Sequence, residues 1–320
     1  MTTVFQDRAI TDDERRRRLY DGDLFVYSPL AASLKLVELA RSMIEDAFGG
    51  KDPETAQFHY PVEEYAAILS RLKPAFIHHP DCKKLLPEIL VSLGCDPEAV
   101  HFDVPRMRSS TSHGYLTTGI AYAFHPHRDT WYSAPMCQIN WWLPIYELDA
   151  ANGLVFYPRY HREPVRNDSH VYDYQNWNRT SRFSAGQHIG KDTRKQPHPR
   201  QALDLTNEIV IVPPVGGLVV FSAAQLHGSI ANQSGRTRFS IDFRTVHAGD
   251  AEALQGARNI DSFCTGSAMY DYLRCADLGH LSDSILAQYE AGPPLKPADP
   301  SYSAREPEAT AGDGEAAAIA

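Results

Sequence analysis

A mainly β domain of antiparallel sandwich or barrel type, flanked by helices, is what this sequence predicts, and three observations carry that reading. From Phe102 to His247, short runs rich in β-branched and aromatic residues recur between turn residues, with few helical periods. The first hundred residues instead carry the 3.6-residue apolar spacing of amphipathic helices. The 320-residue length suits one unit, because sandwiches and barrels often run past about two hundred residues undivided.

The helical part spans 1–100. Ser28-Pro29 reads as an N-cap residue with proline at the first helical position. Leu34, Val37, Ala40, Ile44 and Phe48 then recur at helical spacing until Gly49-Gly50, which predicts a helix over 29–48. Further helices are expected over 61–73 and 81–94, the second kinked or divided at Pro87. The β core, 101–248, has strands expected at 104–110, 115–124, 136–143, 153–157, 208–212, 218–222 and 238–246. Pro213-Pro214 and Gly216-Gly217 punctuate a tight connection between two of them.

A polar insert, 159–207, interrupts the core without periodicity. From Arg159 to Arg200 it carries nine Lys or Arg against four Asp or Glu. Loops of this length inside a compact domain are usually functional lids or mobile segments. The reading favoured is a lid at a substrate mouth, touching substrate through Tyr172, Tyr174 or Trp177. Residues 249–292 are expected to form C-terminal helices packed through Met269, Tyr272, Leu273, Leu281, Ile285 and Leu286. They close a single domain, 1–292. The tail, 293–320, is rich in proline, alanine and acidic residues, which predicts disorder.

Composition narrows the partners. A formal charge of −9 and a pI near 5.8 argue against nucleic acid or an anionic membrane, whose binders carry basic stripes. Arg15 to Arg18 adjoin Asp12, Asp13 and Glu14, so they read as a solvated helix face. Five cysteines without a CxxC pair suggest neither a disulfide framework nor a thiolate zinc site. With no apolar run of signal-peptide or membrane-span type, a cytoplasmic protein acting on a small molecule is expected. Oligomeric state is not legible.

The chemistry concentrates in Ala121 to Asp129, which ends His125-Pro126-His127-Arg128-Asp129. Residues two apart in an extended segment point the same way, so His127 and Asp129 project together. His227, following the apolar run 218–221, can join them, and two histidines with one carboxylate form the facial triad of non-haem iron sites. His125 shares their parity and reads as a packing or supporting residue. Choosing it would give the HxH of a cupin-type metalloenzyme, which also wants a glutamate shortly after, where Trp131 and Tyr132 stand. Eleven residues past His227, Arg238 and Ser240 share one face of a strand whose other face is Phe239, Ile241 and Phe243. A guanidinium beside a hydroxyl is a good carboxylate receptor. Gln138 and Asn140 alternate with Ile139 and Trp141, and face either the interior, to donate to a ligand, or backbone partners. Trp131 reads equally as pocket wall or core aromatic, and Arg106 and Arg108 as pocket or surface residues.

With His127, Asp129, His227 and Arg238 in this order, the sequence resembles the iron(II)- and 2-oxoglutarate-dependent oxygenases, and among them the phytanoyl-CoA dioxygenase type. The resemblance covers roughly 104–246. It implies a double-stranded β-helix (jelly-roll, cupin-like) core, with His127, Asp129 and His227 holding Fe(II). It further implies that Arg238 and Ser240 grip the distal carboxylate of 2-oxoglutarate while Ser229 approaches the same cosubstrate. The implied reaction consumes O2, releases succinate and CO2, and oxidises a C–H bond of a small molecule, with specialised metabolism as the expected setting. Relatives that halogenate replace the carboxylate ligand with a small residue, so Asp129 points to hydroxylation, desaturation or ring closure. Two turns depart from the family pattern, Pro158 to His161 and Gly216-Gly217, and both concern loop shape. A cupin-type enzyme without 2-oxoglutarate and a non-catalytic jelly-roll binding protein are the alternatives.

Overall fold

The computed structural model describes residues 2–121 and 125–305. The chain opens with β1 (Val4–Gln6), α1 (Asp12–Tyr20) and β2 (Leu24–Tyr27). Three longer helices follow: α2 (Ala31–Ala47), α3 (Val62–Ile77) and α4 (Cys82–Ser92). The β-rich part then runs through β3 (Val100–Phe102), β4 (Arg106–Ser110), β5 (Ile139–Pro144) and β6 (Leu154–Phe156). After one short helix of the insert, α5 (Tyr174–Thr180), come β7 (Ile209–Ile211), β8 (Leu218–Ser222), β9 (His227–Ser229) and β10 (Arg238–His247). The end is α6 (Ala248–Glu252), β11 (Leu273–Arg274) and α7 (Asp283–Tyr289).

Two sheets face each other. The larger has the order β1-β2-β8-β5-β10-β3-β11, with β4 pairing the same edge of β10 farther along; the smaller is β7-β6-β9. All pairings are antiparallel except β1 with β2. Strand alternation assigns each residue of the large sheet to one of two environments. Ile139, Trp141 and Leu143 of β5, Leu218 and Val220 of β8, and Phe239, Ile241 and Phe243 of β10 join one core with Leu36, Ile44, Leu69, Phe76 and Leu86 of the helices. Trp141 stacks on Phe243 at 5.8 Å and its indole donates to Thr245 Oγ1 (2.9 Å). On the inner face, Trp142, Val219 and Phe221 meet Leu154, Phe156 and Ile211 of the small sheet. This is the mainly β sandwich with flanking helices that the sequence predicts.

Some expectations change. Ser28 does not cap α2: its N–H and hydroxyl donate to Asp7 (2.6 and 2.7 Å), and Ser33 folds back onto Leu30 at the helix start instead. Helix α3 runs through Pro74, one turn beyond the expected end, where the missing N–H removes only one bond near the terminus. The region 1–100 is not all helical, because β1 and β2 extend the large sheet past β8. Of the strand expected at 115–124, residues up to 121 contain a 3-10 turn, Gly119–Ala121, and 122–124 lie outside the described residues. Residues 249–292 hold two short helices with β11 between them rather than a helical layer. Composition predicts disorder from 293 onward, yet 293–305 pack on the insert, with Asn167 N–H donating to the Tyr302 carbonyl (2.9 Å) and Ala304 N–H to that of Asn167 (2.7 Å). The remainder, 306–320, lies outside the described residues. All five cysteines are free and buried. Among the described residues, no helix is long and apolar enough to cross a membrane.

Candidate metal centre

The site begins as a backbone device. β9 pairs β6 along one edge, and on the other edge His227 exchanges two hydrogen bonds with His127, each 2.9 Å. A pair bonded in this way is directly opposed across the strands, so two imidazoles from distant parts of the chain emerge side by side, 4.5 Å between ring centres. Each Nδ1 bonds a backbone carbonyl two residues upstream: His127 to His125 (2.8 Å) and His227 to Gln225 (3.0 Å). A carbonyl only accepts, so each ring donates from Nδ1 and turns Nε2 toward the cluster. Asp129 starts the 3-10 turn Asp129–Tyr132 and sets Oδ1 3.3 Å from His127 Nε2. One ligand atom from each of His127, Asp129 and His227 lies within 4.8 Å of the others. Two neutral imidazoles and a carboxylate at this spacing form a donor set for a divalent transition metal.

The charge states favour that use. Burial, with His127 alongside, pushes the His227 imidazole down to about 4. Burial alone would raise the Asp129 carboxyl, but His127, His227 and Arg244 together hold it well below the usual range. Both groups are therefore in their metal-binding forms at neutral pH.

Behind Asp129 lies a buried polar chain. Asn140 Nδ2 donates to Asp129 Oδ2 (2.8 Å), Gln138 Nε2 to Asn140 Oδ1 (2.8 Å), and the Tyr272 hydroxyl to Gln138 Oε1 (2.7 Å). Gln138 and Asn140, expected as cosubstrate donors or backbone-satisfied residues, are thus turned onto the Asp129 carboxylate. Farther along the same inner face, Arg108 forks onto Asp242 (2.5 and 3.2 Å), while Arg106 and Arg244 share Asp103. Arg106 and Arg108 therefore both turn to the inner face, Arg106 mostly covered (15% exposed) and Arg108 partly open to solvent (32%).

Arg238 lies on the same face. Its Nη1 donates to the carbonyls of Asn152 (2.9 Å) and Gly153 (3.3 Å), its Nη2 to Ser229 Oγ (3.0 Å), and its guanidinium lies over Trp142. Burial lowers it to about 10, opposed only by Asp242. Its Nε and the hydroxyl of Ser240 are both buried without a hydrogen-bond partner among the described residues. Unsatisfied buried donors are rare, and two on adjacent inward positions fit a ligand carboxylate. The expected grouping of Arg238, Ser240 and Ser229 is thus brought together, and the residues present fit both an iron ion and 2-oxoglutarate.

His125 supplies its carbonyl to His127 and stacks its own ring on His198 of the insert (4.2 Å), outside the ligand cluster. That disposes of the HxH alternative. Arg128 points the other way from its neighbours: fully buried, it bonds Asp261 (3.1 Å) and three backbone carbonyls. Trp131 donates to the same Asp261 (2.9 Å) and packs with Val155, Tyr157 and Leu226, a core residue and not a pocket wall. Its neighbour Tyr132 meets His127 edge-on (5.5 Å), and Tyr172 and Trp177 of the insert continue the aromatic run at 5.2 and 5.6 Å. Tyr174 instead bonds Asp271. Sequence reasoning missed Asp103, Arg244, Tyr272 and Asp261. The parity of Arg244 with Arg238 and Ser240 could have found the second of these; the others lie on short or irregular segments without a periodic signal.

The sequence profile of the phytanoyl-CoA dioxygenase family matches residues 36–240. No curated protein sequence matches the chain. Among solved structures, it is similar to EvdO2 from Micromonospora carbonacea var. aurantiaca complexed with 2-oxoglutarate, at 15% identity over 75% of this chain and 93% of that one, with a TM-score of 0.42. It is also similar to the α-ketoglutarate-dependent carbocyclase SnoK of nogalamycin biosynthesis (11% identity, 88% and 93% covered, TM-score 0.38). A third is the epimerase SnoN of the same biosynthesis (11%, 74% and 84%, TM-score 0.36).

Proposed function

The chain belongs to the phytanoyl-CoA dioxygenase family, and from that premise we propose that His127, Asp129 and His227 hold the iron of a mononuclear oxygenase whose 2-oxoglutarate is gripped by Arg238, Ser240 and Ser229. The family and the donor set make it a non-haem iron, 2-oxoglutarate-dependent enzyme. The observation that carries the residue assignment is the coincidence, on one interior face, of the His-Asp-His cluster with the unpaired Arg238 Nε and Ser240 Oγ.

Bound there, iron with 2-oxoglutarate and O2 supplies oxidation of a C–H bond, with release of succinate and CO2. The protein's part is orientation. The carbonyls of His125 and Gln225 fix the tautomers of the two imidazoles. Asn140 occupies Asp129 Oδ2 and leaves Oδ1 for the metal. Arg238 and Ser240 hold a carboxylate at the far end of the cosubstrate, and Tyr132 with Tyr172 lines the approach from the insert. We assign 159–207 the role of a lid, because Tyr172 is one ring removed from the residue that touches His127. The substrate is proposed to be a small molecule of specialised metabolism, and retention of Asp129 favours hydroxylation, desaturation or ring closure over halogenation.

Oxygen uptake and succinate release, measured with Fe(II) and 2-oxoglutarate across candidate substrates, test the reading. Iron- and 2-oxoglutarate-dependent uptake is expected in the parent and none in His227→Ala. Equal uptake in both proteins overturns the assignment.

A further inference from the structure

Tyr272 lies between the 3-10 turn Met269–Asp271 and β11, beyond the β core and far outside the matched stretch 36–240. It is 1% exposed, packed among Cys137, Val246, Met269 and Leu281, and its phenol has one partner, Gln138 Oε1. A buried tyrosine that merely satisfies its hydroxyl would need nothing more. Here, however, the acceptor is the first of two amides whose second donates to a metal ligand.

The direction of the chain is forced. An ionised Asp129 only accepts, so Asn140 must present its NH2 to Oδ2 and its carbonyl to Gln138. Gln138 must then present its NH2 to Asn140, which leaves Oε1 to accept from Tyr272. Remove the phenolic hydrogen, and Asp129 still orients Asn140, but Gln138 Oε1 is left buried without its donor. Gln138 is then no longer pinned at its far end and its hold on Asn140 and Asp129 slackens, in a site where unpaired polar groups are costly. Nor can water substitute, since Tyr272, Gln138 and Asn140 are each at most 4% exposed.

We infer that Tyr272 is a positioning residue for the metal centre: through Gln138 and Asn140 it fixes Asp129 as a ligand through Oδ1 alone. This rests on the metal-centre reading above. It makes the C-terminal segment part of the site, although no residue of that segment touches the metal cluster.

The test is a double-mutant cycle read by metal binding and independent of turnover. Full-length apoprotein is titrated with Co(II) without oxygen, following the visible d–d bands. Asn140→Leu is expected to weaken Co(II) binding about 10- to 100-fold, the usual cost of losing an outer partner of a metal ligand. Tyr272→Phe, which keeps the ring and its packing, is expected to weaken it several-fold and to alter the bands in the same sense. The second background is Gln138→Met, which keeps the side-chain length. Gln138 reaches Asp129 Oδ2 both through Asn140 and directly from its own Nε2 (3.5 Å), so this change cuts both routes and Tyr272→Phe is expected to add nothing in it. If Gln138→Met does not fold, the cycle is run with Gln138→Leu. An effect of Tyr272→Phe that is equal in both backgrounds, or a lowered melting temperature with unchanged Co(II) affinity, overturns the inference and leaves the metal centre standing. Failure of the unsubstituted protein to bind Co(II) overturns both.

Discussion

The two faces of strand β10 do different work with the same backbone. Toward the helices it presents Phe239, Ile241 and Phe243, all fully buried among apolar side chains. Toward the small sheet it presents Arg238, Ser240, Asp242 and Arg244: Asp242 and Arg244 are held in ion pairs, while Arg238 Nε, Ser240 Oγ and Arg244 Nε have no hydrogen-bond partner among the described residues. The outer face is non-directional and tolerant of shape-preserving change; the inner face is directional, and each group there answers to another. Stability and binding should therefore separate by parity along one strand.

The strongest way to break that separation is to remove a ligand. His127→Ala or His227→Ala is expected to abolish iron binding and turnover, with thermal unfolding of the metal-free protein shifted little. Loss of the fold in either variant would mean that the inner face also carries stability. Next in size, Phe239→Ala on the outer face empties a fully buried site and should cost about 3–5 kcal/mol in urea unfolding. Iron affinity of the protein that remains folded should not change; a weakened affinity would show the faces to be coupled. One residue away, Arg238→Ala is expected to weaken 2-oxoglutarate by about 2–5 kcal/mol, the usual cost of truncating a buried hydrogen-bonded charge. Iron binding without cosubstrate should stay at the parental value. Equal 2-oxoglutarate affinity in the two proteins would remove Arg238 from its proposed role.

The same contrast explains what could be read from the amino-acid order. Strand alternation made Arg238 and Ser240 legible together, and helical spacing made α2 legible from Leu34 to Phe48. His127 and Asp129 were legible as a pair although Asp129 turns out to begin a 3-10 turn, because both conformations bring their ligand atoms together. What escaped was set by contacts distant in sequence. Ser28 bonds Asp7 across a strand pair instead of capping its helix, since a carboxylate that takes both its N–H and its hydroxyl outcompetes a cap. The roles of Gln138 and Asn140 depend on Tyr272, over 130 positions away, with no period linking them. Strands β1 and β11 are short edge elements and β2 is a four-residue strand between β1 and β8, and the pairing of all three is decided by the sheet they join.

The smallest effect separates the faces by pH. Among the histidines, burial displaces three most: His125 and His227 beside the His-Asp-His cluster and His161 at the start of the insert. Burial together with His127 and His198 lowers His125 to about 3; burial together with Arg128 lowers His161 to about 4; His227 is lowered to about 4. Each has a folded value below its unfolded one of about 6.5, so the unfolded chain takes up protons first. The part of the metal-free protein's stability that these histidines control is then complete above about pH 6.5 and falls as pH drops toward 4, by at most about 1.4 kcal/mol per pH unit for each histidine. Carboxylates held low, such as Asp129 and Asp242, begin to contribute only below that window. Urea midpoints measured from pH 7 to 4 should decline, and His227→Ala should make the decline shallower, whereas Phe239→Ala should lower every midpoint without changing the slope. Bound iron should steepen the decline, because it holds His227 in its neutral form. A flat profile across this window would mean that the inner histidines are hydrated in the folded protein, and the division of labour along β10 would lose its electrostatic half.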